Sequence, residues 1–212
     1  MHGSFGTPYN IMNNNCKWIG WIVAAGLACG TALALEPGDA APEFTLTDTA
    51  GKEVSLADYQ GKIVVLEWLN YGCPFVKKHY DSGNLPSLQK RYTAKDVVWL
   101  SINSSAEGKQ GYMPGQELAE ASEKRGNKAT AILLDTDGKV GKAYGARTTP
   151  HMYVIGKDGR LAYMGALDDK PTTDQSDLGE ATNYVAAAVD ALMAGGGVEV
   201  TKVKPYGCGV KY

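Results

Sequence analysis

Cys73 stands at a junction of three local signals. The near-continuous apolar run Lys62–Leu69 reads as a strand, Asn70-Tyr71-Gly72 as a tight turn, and Pro74 opens a segment of helical composition. A cysteine at a helix start has unpartnered backbone N–H groups and the positive end of the helix dipole beside its sulfur. Such a setting brings a thiol from its usual ~8.5 down to about 4–7 and supplies thiolate, the nucleophilic form, at neutral pH. Pro74 suits the first helical position, where its missing N–H would have had no partner. Lys77 and Lys78 are expected to add positive charge one turn later. Glu67 interrupts the apolar strand upstream of Cys73. A carboxylate buried there loses solvation, so its pKa rises toward neutrality and it can move protons for the thiol.

The second sulfur is far away in the chain. Of the four cysteines, Cys16 and Cys29 lie in an N-terminal segment that reads as a leader: a single basic residue, Lys17, an apolar stretch from Trp18 to about Ala28, and the small-x-small sequence Ala32-Leu33-Ala34. These are the parts of a secretory signal, with Met12 as an alternative start and a retained anchor as the alternative fate. A lipid-attachment role for Cys29 fits less well, because Gly26 occupies the usual leucine position. The expected organisation is a leader over 1–34, a domain over 35–197 and a tail over 198–212. The domain is thus expected to be exported, periplasmic or secreted, and to meet a membrane only if the leader is kept. Cys73 and Cys208 then remain as two thiols in an oxidising compartment and are natural disulfide partners. Gly195-Gly196-Gly197 frees the tail from the last helix, and Pro205-Tyr206-Gly207-Cys208-Gly209 presents the second thiol in a turn-like setting. Tyr-Gly-Cys occurs at both cysteines. A resolving cysteine and a permanent tie predict the same bond, and the sequence leaves both open.

The elements that must position these groups alternate. Phe44–Thr47 and Glu53–Ser55 read as a small hairpin around Asp48–Gly51. Lys62–Leu69 and Val97–Ile102 read as strands buried on both faces, and Ala131–Leu134 as a third. Helical segments are expected over Pro74–Arg91, bent or broken at Gly83 and Pro86, over Gly115–Arg125, Val140–Tyr144 and Leu178–Ala194. Met152–Ile155 and Leu161–Met164 flank Gly156-Lys157-Asp158-Gly159, an antiparallel hairpin. This order implies an α/β fold with a central mixed sheet flanked by helices and an N-terminal hairpin extension.

The strand-turn-Cys-Pro-helix unit, Leu133-Leu134-Asp135-Thr136-Asp137-Gly138 with Lys142-Ala143-Tyr144-Gly145, and Thr148-Thr149-Pro150-His151-Met152-Tyr153-Val154-Ile155 occur here in one order. Over about Pro37–Ala194 the sequence resembles the thioredoxin-like superfamily, in particular its peroxiredoxin-like redoxins (alkyl hydroperoxide reductase and thiol-specific antioxidant type) and its exported thiol–disulfide oxidoreductases. The resemblance implies a thioredoxin-like fold and a thiol-dependent oxidoreductase with antioxidant activity. It implies Cys73 as the attacking thiolate, Pro150 as the cis-proline facing it and Glu67 as the assisting buried acid. Cys208 is then the resolving candidate. Asn70, Tyr71, Thr149 and His151 are the candidates for substrate contact. The substrate would be a protein or small-molecule thiol, disulfide or peroxide, with an external reductant and no cofactor. Two departures stand out. The second position of a C-x-x-C pair is Val76, and the proline and hydroxyl positions of a peroxiredoxin motif are Leu66 and Asn70. Arg147 precedes the Thr-Pro loop without an assigned role.

A competing expectation is a copper metallochaperone of the Sco type, in which Cys73, Cys208 and His151 form a thiolate–imidazole site for Cu(I). A redox-inert domain with a structural disulfide is the third. His79 lies within the Cys73 helix and reads as a surface or packing residue. Composition excludes other classes: 21 basic against 23 acidic residues give no footprint for a polyanion, so no nucleic-acid partner is expected. There is no phosphate-binding glycine loop, H-E-x-x-H or nucleophile-elbow serine.

Overall fold

Every residue of β3 (Val64–Trp68) is buried, because this strand lies inside the sheet with a covered face on either side. It runs parallel to β4 (Val98–Asn103), which runs parallel to β5 (Ala131–Leu134). Antiparallel strands complete the sheet at both edges. β1 (Thr45–Asp48) pairs with β5 and with β2 (Glu53–Ser55); β7 (His151–Ile155) pairs with β3 and with β8 (Leu161–Gly165). The order across the seven strands is β2-β1-β5-β4-β3-β7-β8. The computed structural model describes Gly3, Gly6 and Ala34–Tyr212, and the chain divides into units Met1–Leu33 and Ala34–Tyr212. Apart from those two glycines and Ala34, the expected leader, with Cys16 and Cys29, lies outside the described residues. Among the described residues no helix is long and apolar enough to cross a membrane.

The pleat sorts β3 between two cores. Val64, Leu66 and Trp68 join Phe44, Tyr144, Tyr153 and Leu161 on one face, covered by α4 (Lys139–Tyr144). Val65 and Leu69 face the other, with Met152, Val154 and residues of α1 (Pro74–Asp81), α2 (Asn84–Thr93), α3 (Gly115–Lys124) and α5 (Tyr184–Met193). Cys73 belongs to this second cluster. Alternation therefore puts Glu67 on the cysteine's face of the sheet.

The helical stretch over Pro74–Arg91 is broken at Gly83, as expected: two helices are divided at Ser82-Gly83, where Gly83 takes φ +74°. Two departures from the expected elements have local causes. Pro86 sits in the first turn of α2, where an N–H has no intrahelical partner, and it does not break that helix. The last helix starts at Tyr184 rather than Leu178: Asn183 accepts from Ala186 N at 2.8 Å and caps it, while Gln175–Glu180 form a separate 3-10 turn.

The tail is laid along the sheet instead of hanging free. Met164 N donates to Thr201 O (3.0 Å) and Val203 N to Met164 O (3.1 Å), so the tail joins the β8 edge. It then forms β9 (Cys208–Gly209) against β6 (Thr148–Thr149), and Val210 N donates to Arg147 O at 3.1 Å. Glycine makes both approaches possible. A Cβ on Gly165 would stand 2.1 Å from Val203 O, and one on Gly207 2.2 Å from Thr149 O.

Candidate functional site

Cys73 is the N-cap of α1 and Pro74 its first helical residue. The turn before it is closed by Cys73 N donating to Asn70 O (2.9 Å) and Gly72 N donating to Asn70 Oδ1 (2.8 Å). The Thr149–Pro150 bond is cis, and Thr149 O lies 3.0 Å from Cys73 Sγ. Cys208 Sγ lies 2.8 Å from Cys73 Sγ across 135 residues of chain, with both thiols free. The two short strands β6 and β9 thus bring the tail thiol directly over the helix-start thiol. Cys73 is 1% exposed under this cover, whereas Cys208 is partly exposed.

The two sulfurs differ in chemistry. Burial pushes the Cys73 thiol up, but hydrogen bonding from the Cys208 side chain, the N–H groups of Val76 and Cys208, and Thr149 together bring it below the ordinary cysteine value. Sγ closes no regular capping hydrogen bond, so this is the joint field of several donors rather than one bond. Cys208 is pushed up to about 11 by burial, by its hydrogen bond to Cys73 and by the charge there. The pair is therefore a thiolate at Cys73 receiving a hydrogen bond from a thiol at Cys208. A thiol that stays protonated beside a thiolate is suited to a second, later step.

Glu67 is wholly buried, and all its neighbours donate. Oε1 accepts from Tyr80 Oη at 2.8 Å; Oε2 accepts from Trp99 Nε1 (2.8 Å), Gln89 Nε2 (2.9 Å) and Ser101 Oγ (3.0 Å). Burial raises its pKa, and those donors oppose the rise. Asn127 Nδ2 bridges Tyr80 Oη (2.9 Å) to Tyr71 Oη (3.0 Å), so the network reaches the turn that carries Cys73.

Several expected contacts are not made. Tyr71 is 2% exposed and donates to Ser122 Oγ at 2.9 Å, so it belongs to the core beneath the turn and does not face a substrate. Asn70 is held by Gln110, through its carbonyl and Oε1, and shapes the turn. Lys78 brings no charge to Cys73: it is buried, and its Nζ donates to Lys170 O at 2.9 Å. His151 is also turned away. Met152 packs in the cluster of Cys73, so its neighbour His151 points to the opposite face, with its ring 4.6 Å from that of Tyr153. Its Nδ1 accepts from Arg147 N (3.2 Å), and burial with the Arg147 charge pushes its pKa down to about 3. The Cys73–Cys208–His151 metal set is therefore not assembled. Among the described residues no three His, Cys, Asp or Glu side chains are grouped to hold a metal.

One cluster was not anticipated from the sequence. His79 is buried on α1 beside Tyr206 of the tail, and Tyr206 Oη donates to Asp168 Oδ1. The ring of Tyr206 packs on Phe75, centroids 5.7 Å apart. The only signal for it is that Tyr206 and Phe75 lie close in sequence to the two cysteines.

Comparisons with known proteins bear on the family and the fold. The Redoxin family profile matches residues 36–182. The thiol-disulfide oxidoreductase ResA of Bacillus thuringiensis is 27% identical over 129 residues, 60% of this chain and 68% of that protein. A Mycobacterium tuberculosis protein described as a putative peroxiredoxin is 59% identical over 161 residues, 72% of this chain and 91% of that one. The crystal structure of an uncharacterized conserved protein from Geobacillus kaustophilus is similar at a TM-score of 0.71 and 30% identity, over 83% of this chain and 92% of that one.

Proposed function

The chain belongs to the Redoxin family and is a thiol-dependent oxidoreductase of thioredoxin-like fold, and from that premise we propose a two-cysteine exchange cycle in which Cys73 attacks and Cys208 resolves. The observation that carries this reading is the 2.8 Å approach of the two sulfurs. The Cys73 thiolate attacks one sulfur of a disulfide substrate, forms a mixed disulfide and expels the other sulfur as a thiolate. Cys208 then loses its proton and attacks Cys73 Sγ. The remaining substrate sulfur leaves and takes up that proton. The substrate gains two electrons and the protein dithiol becomes a disulfide, with no cofactor required.

An external thiol reductant completes the cycle. Exchange proceeds by attack along the S–S axis, and access decides which sulfur is struck. Cys73 is 1% exposed, whereas Cys208 is partly exposed. The reductant accordingly attacks Cys208, and Cys73, whose pKa is the lower, is the better leaving group. Thr149 and Pro150 wall the sulfur pair, and Glu67 supports proton movement from below.

A hydroperoxide is the second substrate class, supported by the resemblance to the Mycobacterium tuberculosis protein. The Cys73 thiolate would attack the terminal oxygen and break the O–O bond, and the alkoxide would take up a proton and leave as the alcohol. Cys208 would then condense with the sulfenic acid to form the disulfide and release water. Asn70 favours the disulfide reading: where peroxiredoxins present a hydroxyl, this side chain is fully engaged with Gln110 and Gly72. We further propose that the domain works after export, with 1–34 as the exporting leader. Turnover of a disulfide and of a peroxide by wild type, Cys73→Ser and Cys208→Ser tests the cycle. Loss with Cys73→Ser, and stalling after one half-reaction with Cys208→Ser, is expected. Equal steady-state turnover in Cys208→Ser removes the resolving role.

A further inference from the structure

Tyr206 lies two residues before Cys208, and its hydroxyl enters a socket built from three separate parts of the chain. His79 comes from α1, Asp168 from the segment after β8, and Asn84 from the start of α2. Hydrogen-bond directions in the socket are fixed by chemistry. Asn84 Nδ2 can only donate, so His79 Nδ1, 3.0 Å away, accepts and the ring proton sits on Nε2. His79 Nε2 is 3.3 Å from Tyr206 Oη and donates to it. Tyr206 Oη in turn donates to Asp168 Oδ1, which also accepts from Lys170 N at 3.0 Å. His79 and Asp168 are 0% and 1% exposed, and Asp168 Oδ2 has no hydrogen-bond partner and lies 3.9 Å from His79 Nε2. Burial pushes His79 down to about 4, against the pull of Asp168, so the ring is neutral and carries the single proton that this chain of donors requires.

A buried carboxylate with one oxygen unpartnered gains most from a donor on the other. Here that donor arrives on the tail. When the tail lifts away, Asp168 loses the phenol; when it docks, the phenol and the ring stacked on Phe75 fix the backbone at Gly207, where the chain passes against Thr149 O. Cys208 is the next residue.

We propose that Tyr206 is a positioning residue for the resolving step: by inserting its hydroxyl between His79 and Asp168 it holds Cys208 in line with Cys73 Sγ. This rests on the reading that Cys208 resolves Cys73. Resolution is an intramolecular encounter, and its rate follows the effective concentration of the second thiol at the first. Removing the hydroxyl leaves the helix start of Cys73 in place, lowers that concentration, and reaches Cys73 itself only through the weakened hydrogen bonds from Cys208.

The chromogenic disulfide dithiobis(nitrobenzoate) separates the two steps. Attack by Cys73 releases one coloured thiolate, and ring closure by Cys208 releases the second. In Tyr206→Phe, which keeps the ring on Phe75, the first release is expected to change little, because a looser cover over Cys73 is offset by weaker hydrogen bonds from Cys208 to its thiolate. The second is expected to slow by about tenfold, the effect of one lost hydrogen bond to a charged group. Asp168→Asn, which leaves a neutral and weaker acceptor, should slow the second release by a smaller factor. Both variants matching wild type in the second release, or slowing both releases equally, overturns the proposal. Wild type that releases only the first equivalent defeats the parent reading instead, so the two failures are distinguishable.

Discussion

Tyr71-Gly72-Cys73 and Tyr206-Gly207-Cys208 are the same tripeptide in two settings, and their sulfurs touch. In the first, the tyrosine is buried under a strand-to-helix turn, the glycine lies beside Asn70 and Gln110, and the cysteine begins α1. In the second, the tyrosine plugs a polar socket, the glycine takes φ +134° against a neighbouring backbone, and the cysteine lies in a two-residue edge strand. Each tyrosine connects to a buried acid. Tyr71 reaches Glu67 through Asn127 and Tyr80, and Glu67 is saturated by donors; Tyr206 reaches Asp168 directly, and Asp168 keeps a free oxygen. One thiol falls below the ordinary value and the other rises to about 11. Identical local sequence thus yields two unlike thiols: burial raises both, but the hydrogen bond between the two sulfurs lowers Cys73 and raises Cys208, and the backbone N–H groups around Cys73 lower it further.

The largest test of that difference is to remove each sulfur in turn. Cys73→Ser should bring the first release from dithiobis(nitrobenzoate) to background, since a serine hydroxyl does not replace a thiolate; Cys208→Ser should preserve that release and lose the second. Equal effects of the two substitutions would erase the distinction between attacking and resolving sulfurs. Oxidation tests the pair as a tie. Closing a loop of 135 residues should stabilise the oxidised domain by about 5 kcal/mol over the reduced one in the chain-entropy model. Denaturant melts of both forms measure it, and Cys208→Ser should abolish the difference. At Gly207→Ala, the new Cβ would meet Thr149 O and the backbone would be strained. A cost of about 1–3 kcal/mol is expected, confined to the tail. Hydrogen exchange should show β9 losing protection while β3 and β4 keep theirs; uniform loss would mean that the tail and the sheet unfold together.

Much of this site was legible because its signals are local. Proline directly after Cys73 marks a helix start, Thr149-Pro150 before an apolar strand marks the loop, and two cysteines outside the expected leader imply a pair. The layer order was legible from apolar runs and glycine turns. What could not be read is pairing between distant residues: Tyr206 with His79 and Asp168, β9 with β6, and Lys78 with Lys170. None of these leaves a periodic trace in the sequence. His151 was misplaced for a different reason. It adjoins Pro150 in sequence, but strand alternation puts it on the far side of the sheet from Met152. The start of α5 was misjudged because helix formers upstream of Asn183 hid the cap.

The thiolate itself gives a smaller effect. Part of what lowers Cys73 is the hydrogen bond from Cys208, so Cys208→Ala should move the pH midpoint of Cys73 thiolate formation upward, as read by thiolate absorbance. A midpoint unchanged in that variant would assign the whole effect to the helix start and the Thr149 loop.

Glu67 supplies the last test, of the acid beneath the first tripeptide. Its folded pKa stands above the ordinary value of 4.5 because burial outweighs four donors. A raised carboxyl binds its proton more tightly in the folded state. The stability this contributes is fully present below 4.5 and is lost as pH rises through the raised folded value. Each unit of elevation corresponds to about 1.4 kcal/mol between the two limits. Glu67→Gln carries no such proton. Its one oxygen can still accept from Trp99, Gln89 and Ser101. Its amide faces Tyr80 Oη, which already accepts from Gln89 and Asn127 and loses the acceptor for its own proton, a cost that does not vary with pH. Denaturant midpoints followed upward from pH 4 should therefore fall in wild type and stay level in Glu67→Gln. Thiol exchange should be slower in the same protein, because the network that reaches Tyr71 has lost its ionisable member. A level profile in wild type would mean that the donors fully compensate burial, and the acid would then serve only to knit α1, α2 and β4 together.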